Sequence, residues 1–479
     1  MLFYLQKAKL CLDFINFSMY NTHKNKKEKN TVHGKCYFTS RDHQNEYKEI
    51  FPSLYAPGVE TIKVSDKFTS GFLGFGVAIT PSSCYELSLM DAEERRALLR
   101  HIYTKEGIGL SVARLCIASS DYSPEIYSYD DVEGDVELRH FSIERDERYV
   151  LPMIKEILEI NPDLYIFASP WSPPYWMKTG GSMCGGYMRD AYLDCYADYI
   201  IKFIVAYGEH GIKISALTPQ NEPETQQRGC MPSCIWHPET EAKFINILRK
   251  KLNESNLDVK IWMHDHNFDA VNRVIWSLEN CEGLASVCDG VAFHYYSGTV
   301  EQTAEVTEKF PHLDLHFTEG GPRLTDHYDT DFCKWGLMVA KTLSAGYRSF
   351  TGWNLMLDEL GGPNVGPFIG ICGGLVTRDS RTGGLSYSGQ YKAFSHIAPY
   401  VSEKSKIYPL KAVMDHHLSS FPKTKLDVEG ILVENPDGKK IALIVNPADT
   451  GTQAQIEIGG VLWYLELLAD SVSTLIIEN

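Results

Sequence analysis

The chain has 479 residues, 46 Lys and Arg against 62 Asp and Glu, and a formal charge of −16. Hydrophobic residues make up 44% and charged residues 23%, which excludes a disordered or collagen-like chain and suits one large domain with a small one. The acidic balance argues against sequence-independent nucleic-acid binding, which needs clustered Lys and Arg to neutralise phosphates.

Residues 1–32 read as a tail whose basic run, His23 to Lys29, is solvated. Lys7, Lys9 and Asp13 interrupt the apolar stretch that an export signal needs. No segment reaches the roughly 18 uncharged apolar residues of a membrane span. The expectation is a cytoplasmic protein without a transmembrane segment. Twelve cysteines are too sparse for a disulfide scaffold, and several sit in apolar runs such as ARLCIA around Cys116, so reduced, buried thiols are expected. Cys230 and Cys234 with His237 lack a second ligand pair at zinc-site spacing, and no metal is expected there.

Residues 33–70 hold short strand-like pieces, GKCYFTS and TIKVSD, that join a β-sandwich with the C-terminal segment. From 71 to 398 strand and helix signals alternate. Strands are expected at 74–79, 109–118, 163–171, 214–223, 259–267, 290–296, 314–321 and 348–355. Between them, MDAEERRALLRHIYTKEG has an acidic first turn and a C-cap at Gly107. DCYADYIIKFIVAYGEHG and EAKFINILRKKL carry apolar faces at helical spacing, and 331–345 and 388–398 supply further helices. Eight strands each followed by a helical segment predict a (β/α)₈ barrel, an α/β fold. A nucleotide-binding sheet is the alternative, but GFLGFG at 71–76 does not match GxGxxG. Residues 399–479 read as all-β, with NPDG marking a hairpin. They form the small β-sandwich domain.

In a barrel enzyme, chemistry gathers at the C-terminal ends of the strands. Those ends carry Asp121, Trp171, Asn221, Glu222, Asp265, His294, Tyr296, Glu319 and Trp353. The sharpest pair is Glu222, in Asn221-Glu222-Pro223 after the fourth strand, and Glu319, before Gly320-Gly321 after the seventh. Two carboxylates facing across a barrel mouth can flank a glycosidic bond, one donating a proton and the other attacking the anomeric carbon. Arg114 lies inside an apolar strand and needs a partner, because an unpaired buried charge is costly. Glu222 or Glu319 is the natural one. Trp171 is expected exposed at the rim. Strand alternation points His264 and His266 the same way, which suggests a metal only if a further carboxylate joins them. Asp265 and Asn267 fit better as hydrogen-bonding supports of the acid/base.

These stretches resemble glycoside hydrolase family 30, in its glucosylceramidase-like branch. The likeness runs through GFGVAIT (74–80), EGIGLSVARLCIASSDYS (106–123), FASPWSPPYWMKTGGSM (167–183), LTPQNEPE (217–224), FHYYSG (293–298), HFTEGG (316–321) and GWNLMLDELGGPN (352–364). It extends from about residue 65 to the C-terminus. The resemblance implies a (β/α)₈ barrel with an attached β-sandwich and retaining hydrolysis of β-glycosides, without metal or cofactor. It makes Glu222 the acid/base, Glu319 the nucleophile and Asn221 the partner of the sugar 2-OH. Asp121 and Trp171 would hold outer hydroxyls, and Trp353 would floor the ring. His294 and Tyr296 would shape the nucleophile's surroundings, Arg114 would keep Glu319 ionised, and Asn364 would line the outer mouth. Glu222 is expected protonated and Glu319 ionised. Two departures stand out. Thr80 is followed by Pro81-Ser82-Ser83 rather than an acidic residue. Val365 replaces an aromatic after GGPN, which weakens the case for a lipid-bearing aglycone.

The expected substrate is a β-glycoside, sugar or glycolipid, cleaved by a β-glucosidase of the glucosylceramidase type. The alternatives are a β-1,6-glucanase, β-xylosidase or β-fucosidase. A non-catalytic sugar-binding barrel is disfavoured by the retention of both glutamates. No oligomeric state is implied.

Overall fold

The computed structural model describes residues 34–56, 59–225, 231–413 and 428–478. The tail before residue 34, with its basic run, and Cys230 lie outside those residues. Three strands come first: β1 (Gly34–Thr39), β2 (Glu46–Ile50) and β3 (Glu60–Val64). Eight parallel strands then close into a barrel in chain order. They are β4 (Gly74–Ile79), β5 (Val112–Ile117), β6 (Tyr165–Pro170), β7 (Ala216–Leu217), β8 (Lys260–Asn267), β9 (Gly290–His294), β10 (Asp314–Glu319) and β11 (Ser349–Gly352). GFGVAI and VARLCI are buried at every position, because barrel strands are covered inside by facing side chains and outside by helices.

The longer helices are α1 (Pro81–Ser88), α2 (Ala92–Tyr103), α3 (Val150–Ile160), α4 (Leu193–Glu209), α5 (Pro238–Glu254), α6 (Val271–Asn280), α7 (Phe332–Ser344) and α8 (Gly389–Ile397). Asp91 caps α2 by accepting from Glu93 N at 2.9 Å and Glu94 N at 3.4 Å. That helix stops at Tyr103, not at Gly107. The glycine instead serves the turn beyond, where a Cβ would lie 2.0 Å from the carbonyl of His101.

The fourth barrel strand is far shorter than 214–223. Pro219 has no N–H to give to a ladder, and only Ala216 and Leu217 pair regularly. The chain still runs along β6, with Thr218 N donating to Ala168 O at 3.0 Å and Asn221 N to Pro170 O at 2.8 Å. Asn221 and Glu222 are therefore held in a loop beyond the strand.

Three short strands, β12 (Met356–Asp358), β13 (Val376–Arg378) and β14 (Leu385–Tyr387), cross the barrel mouth. The last six are β15 (Lys406–Val413), β16 (Glu429–Glu434), β17 (Lys440–Asn446), β18 (Thr452–Ile458), β19 (Val461–Leu467) and β20 (Ser471–Ile477). With β1–β3 they form one nine-stranded sheet in the order β19-β18-β3-β15-β16-β17-β20-β1-β2. The sheet folds over until its edges meet, Ser53 N donating to Leu462 O at 2.8 Å. Trp463, Ile62, Ile456 and Leu475 fill its interior. Its outer face, with Ile431, Leu443, Val445 and Val472, joins the barrel core. Among the described residues the cysteines other than Cys184 are free thiols, and no helix is long and apolar enough to cross a membrane.

Candidate active site

Arg114, on β5, points into the barrel and is wholly buried. Its guanidinium donates to Glu319 Oε2 at 2.5 Å, Asp265 Oδ2 at 2.8 Å, Asn221 Oδ1 at 2.8 Å and Ser169 Oγ at 3.2 Å. The partner foreseen at Glu319 is present, and a second one, Asp265, shares the charge. Trp171 and Trp353 stack with ring centroids 5.1 Å apart and lie 4.8 and 5.5 Å from the guanidinium carbon, a cation–π arrangement. Trp171 is 2% exposed. The expected exposed rim tryptophan is instead an inner wall of the cavity, held there by Trp353 and Arg114.

Asp265 is equally buried and collects donors from four strands or strand extensions. Besides Arg114, it accepts from Ser169 Oγ at 2.9 Å, Thr218 Oγ1 at 2.6 Å and Thr318 Oγ1 at 2.7 Å. His294 Nε2 lies 3.0 Å from Oδ1. Burial pushes the carboxyl up, but Arg114 and His294 outweigh it and hold it far below the usual carboxylate range. Asp265 reaches Glu222 through His294, whose Nδ1 is 3.2 Å from Glu222 Oε1, and through its backbone carbonyl, which accepts from Glu222 N at 3.0 Å.

His294 is fully buried and lies 4.0 Å from Glu319 Oε2. It stands beside Glu319 as expected and also bridges Asp265 to Glu222, without lining the cavity itself. Burial disfavours its imidazolium, but Glu319, Asp265 and Glu222 together raise its pKa to about 9. Tyr296 does meet the nucleophile, its hydroxyl donating to Glu319 Oε1 at 3.0 Å.

The surroundings shift the two carboxyls in directions opposite to those the mechanism asks for. Burial opposes ionisation of Glu222, yet the imidazoles of His266 and His294 beside it hold its carboxyl below the usual range. Burial raises Glu319, against the pull of His294 and Arg114 and with the push of Glu222 and Asp265. The physical reason is the second imidazole: Glu222 sits between two histidines rather than in an unpaired pocket.

His264 and His266 do not point the same way. A bulge shifts the β8 register between them, with φ of 79° at His264 and 50° at Asp265. His264 is buried against Phe293, while His266 lines the cavity, its Nδ1 3.7 Å from Glu222 Oε1. Glu222 itself has φ 49°, so Glu222, His264 and Asp265 all sit in backbone that only a well-determined surrounding sustains.

The cavity holds about 350 Å³ and is lined by Asp121, Trp171, Asn221, Glu222, Tyr296, Glu319 and Trp353 among the foreseen residues. Asp121 Oδ1 is buried without a hydrogen-bond partner, and burial with Glu319 and Glu222 pushes this carboxyl well above its usual range. Asn364 does not line the cavity. Its Oδ1 accepts from Gly366 N at 2.5 Å, in the loop whose Val365 N donates to Asp121 O at 2.8 Å, so it braces Asp121 from behind. Thr80 caps α1, accepting from Ser83 N at 3.2 Å, which explains the departure at Pro81-Ser82-Ser83 as a helix start. His266, Thr225, Met231, Arg323, Phe368, Ile371 and Cys372 also line the cavity and were not foreseen. The last three lie in GGPNVGPFIGICGG, which has no periodicity to read. The aromatic that Val365 lacks is supplied at the mouth by Phe368.

Comparison with known proteins decides the family. The family model described as "Glycosyl hydrolase family 30 TIM-barrel domain" matches residues 72–369. The chain belongs to glycosyl hydrolase family 30. "Putative glucosylceramidase 3" of Caenorhabditis elegans is 32% identical over 328 residues, covering 64% of this chain and 62% of that relative. The chain thus spans about three-fifths of that relative's length. "Endo-1,6-beta-D-glucanase" of Neurospora crassa is 29% identical over 69% of this chain and 70% of its own. Among solved structures, "The endo-beta1,6-glucanase BT3312" superposes with a TM-score of 0.80 at 25% identity, covering 92% of this chain and 99% of its own. The family-30 barrel with its all-β region is thereby established, and the chain is a glycoside hydrolase.

Proposed function

We propose that the chain is a retaining β-glucosidase that removes a terminal glucosyl unit. Glu319 acts as nucleophile and Glu222 as acid/base. The observation that carries this reading is the division of labour around one imidazole: His294 contacts both glutamates, at 3.2 Å and 4.0 Å, while Arg114 binds only Glu319 of the two. Arg114 and Tyr296 hold the Glu319 carboxylate as sugar enters and neutral bonds replace water. His294, one hydrogen bond away at 3.2 Å, is placed to supply the proton that Glu222 must donate. Transfer across that bond leaves Glu222 neutral beneath the leaving oxygen and His294 neutral against Asp265. Glu319 then attacks the anomeric carbon as Glu222 protonates the departing oxygen. In the second step Glu222, again ionised, takes a proton from water, which releases the sugar from Glu319.

The names of the relatives support glucose as the sugar. A glucosylceramidase and an endo-1,6-beta-D-glucanase share a β-linked glucosyl unit and differ in what it is attached to. The unpartnered Asp121 carboxyl suits outer hydroxyls, and Asn221, its Oδ1 taken by Arg114, has its amide free to donate. The second reading, an endo-β-1,6-glucanase, is favoured by the solved structure at 25% identity that covers 92% of this chain.

The test is hydrolysis of aryl β-glucoside, β-xyloside, β-fucoside and β-galactoside beside a β-1,6-glucan, with Glu222→Gln and Glu319→Gln as controls. Glucoside turnover lost in both variants, and a 2-deoxy-2-fluoroglucosyl adduct on Glu319 by mass spectrometry, are expected. Turnover of the glucan alone selects the second reading. An adduct elsewhere, or full activity in Glu319→Gln, removes the proposed mechanism.

A further inference from the structure

Three nitrogen and oxygen donors converge on one side of the cavity. Glu222 Oε1 lies 3.2 Å from His294 Nδ1 and 3.7 Å from His266 Nδ1, and all three atoms are within 4.8 Å of one another. A tetrahedral zinc-type ion, roughly 2.0–2.1 Å from each ligand, needs donors about 3.3 Å apart. The two separations from Glu222 Oε1 bracket that spacing.

Two further observations point to a ligand here. His266 Nδ1 is closed off from solvent and has no hydrogen-bond partner among the described residues. His294 Nε2 is engaged by Asp265 Oδ1 at 3.0 Å, the carboxylate–histidine pairing that fixes ring orientation and raises basicity behind a metal-binding nitrogen. Arg114 and three hydroxyls in turn hold Asp265. Two imidazoles and a carboxylate suit a divalent ion of the zinc class, not Ca²⁺ or Mg²⁺, which want oxygen ligands in greater number.

We propose that Glu222, His266 and His294 bind a zinc-class divalent cation that inhibits the enzyme by occupying the oxygen that must carry the acid proton. The inhibitory consequence rests on Glu222 being the acid/base, whereas the binding does not.

The experiment uses the full-length, metal-stripped protein. Zn²⁺ binding is followed by calorimetry, and Co²⁺ binding by its visible spectrum, in wild type, His266→Asn and His266→Asp. One ion per chain is expected, with affinity about tenfold or more weaker in His266→Asn, since even supporting residues of metal sites cost that much. His266→Asp keeps a ligand and is expected to retain binding, which separates loss of a donor from loss of the fold. Inhibition of aryl β-glucoside turnover is expected at the same Zn²⁺ concentration as binding. Absence of binding, equal affinity in His266→Asn, or a thiolate charge-transfer band with Co²⁺ overturns the site. Histidine-dependent binding by a protein with no glycosidase turnover keeps the site and removes the proposed function.

Discussion

The buried Arg114 guanidinium organises the candidate site, and its energetics set what substitution does. Arg114 faces two buried carboxylates, Glu319 and Asp265. Removing one partner of such a group leaves the others uncompensated, which costs about 3–5 kcal/mol in buried pairs. Arg114→Met is therefore expected to lower the urea-unfolding free energy by about that amount and to reduce kcat/KM by more than ~10²-fold, which ~3 kcal/mol of lost transition-state binding already produces. Activity within tenfold of wild type would show that the guanidinium only packs. His294 gives the second prediction at this scale. Its pKa is about 9, so it carries the needed proton below that pH and loses it above. The alkaline limb of kcat/KM, measured with a chelator present, is expected near pH 9 in wild type and at least one unit lower in His294→Gln. An unmoved limb would place the proton elsewhere.

At the scale of elements, the eight barrel strands were legible because continuous apolar runs alternate with amphipathic helices, and Glu319 followed directly from the end of its strand. Glu222 was found by its Asn-Glu-Pro motif, although the strand meant to carry it stops at Leu217. What stayed hidden follows from local geometry that breaks a period. The β8 bulge turns His266 into the cavity and His264 out of it, which no alternation rule anticipates. Ser169, Thr218 and Thr318, which hold Asp265, look like minor interruptions of strand sequence. The loop with Phe368 and Ile371 has only glycines and prolines as signposts, and its placement depends on long-range bonds such as Ser82 Oγ to Pro363 O at 2.6 Å. That loop contributes an apolar wall to the cavity. Phe368→Ala is expected to raise KM for aryl glucosides about three- to tenfold, equivalent to ~1 kcal/mol of lost apolar contact, with kcat changed less than twofold. An equal fall in kcat would mean that the ring positions the sugar instead.

At the scale of the molecule, the all-β region is packed into the barrel rather than tethered to it. Val445 and Val472 on the sheet's outer face close on Gly336 of α7, where a Cβ would meet them at 3.0–3.1 Å. Beside them His396 of α8 joins both parts. Its Nδ1 is 2.9 Å from Thr474 Oγ1 on β20, and its Nε2 is 2.8 Å from Thr39 Oγ1 on β1. Thr474 gives its own proton to the carbonyl of His396 at 2.8 Å, so it accepts from Nδ1–H. Burial favours the neutral ring and lowers the pKa from 6.5 to about 4. The unfolded chain therefore binds a proton near pH 6.5 that the folded protein refuses until about pH 4. Above pH 6.5 the residue has no pH-dependent effect, and stability falls as pH drops between those values, at about 1.4 kcal/mol per unit. Between pH 7 and 5 wild type is expected to lose about 2 kcal/mol more than His396→Gln, which lacks the titration. Denaturant unfolding at the two pH values checks this, with barrel and sheet melting in one transition because the interface is shared. Parallel losses in the two proteins would assign the acid sensitivity to other buried groups.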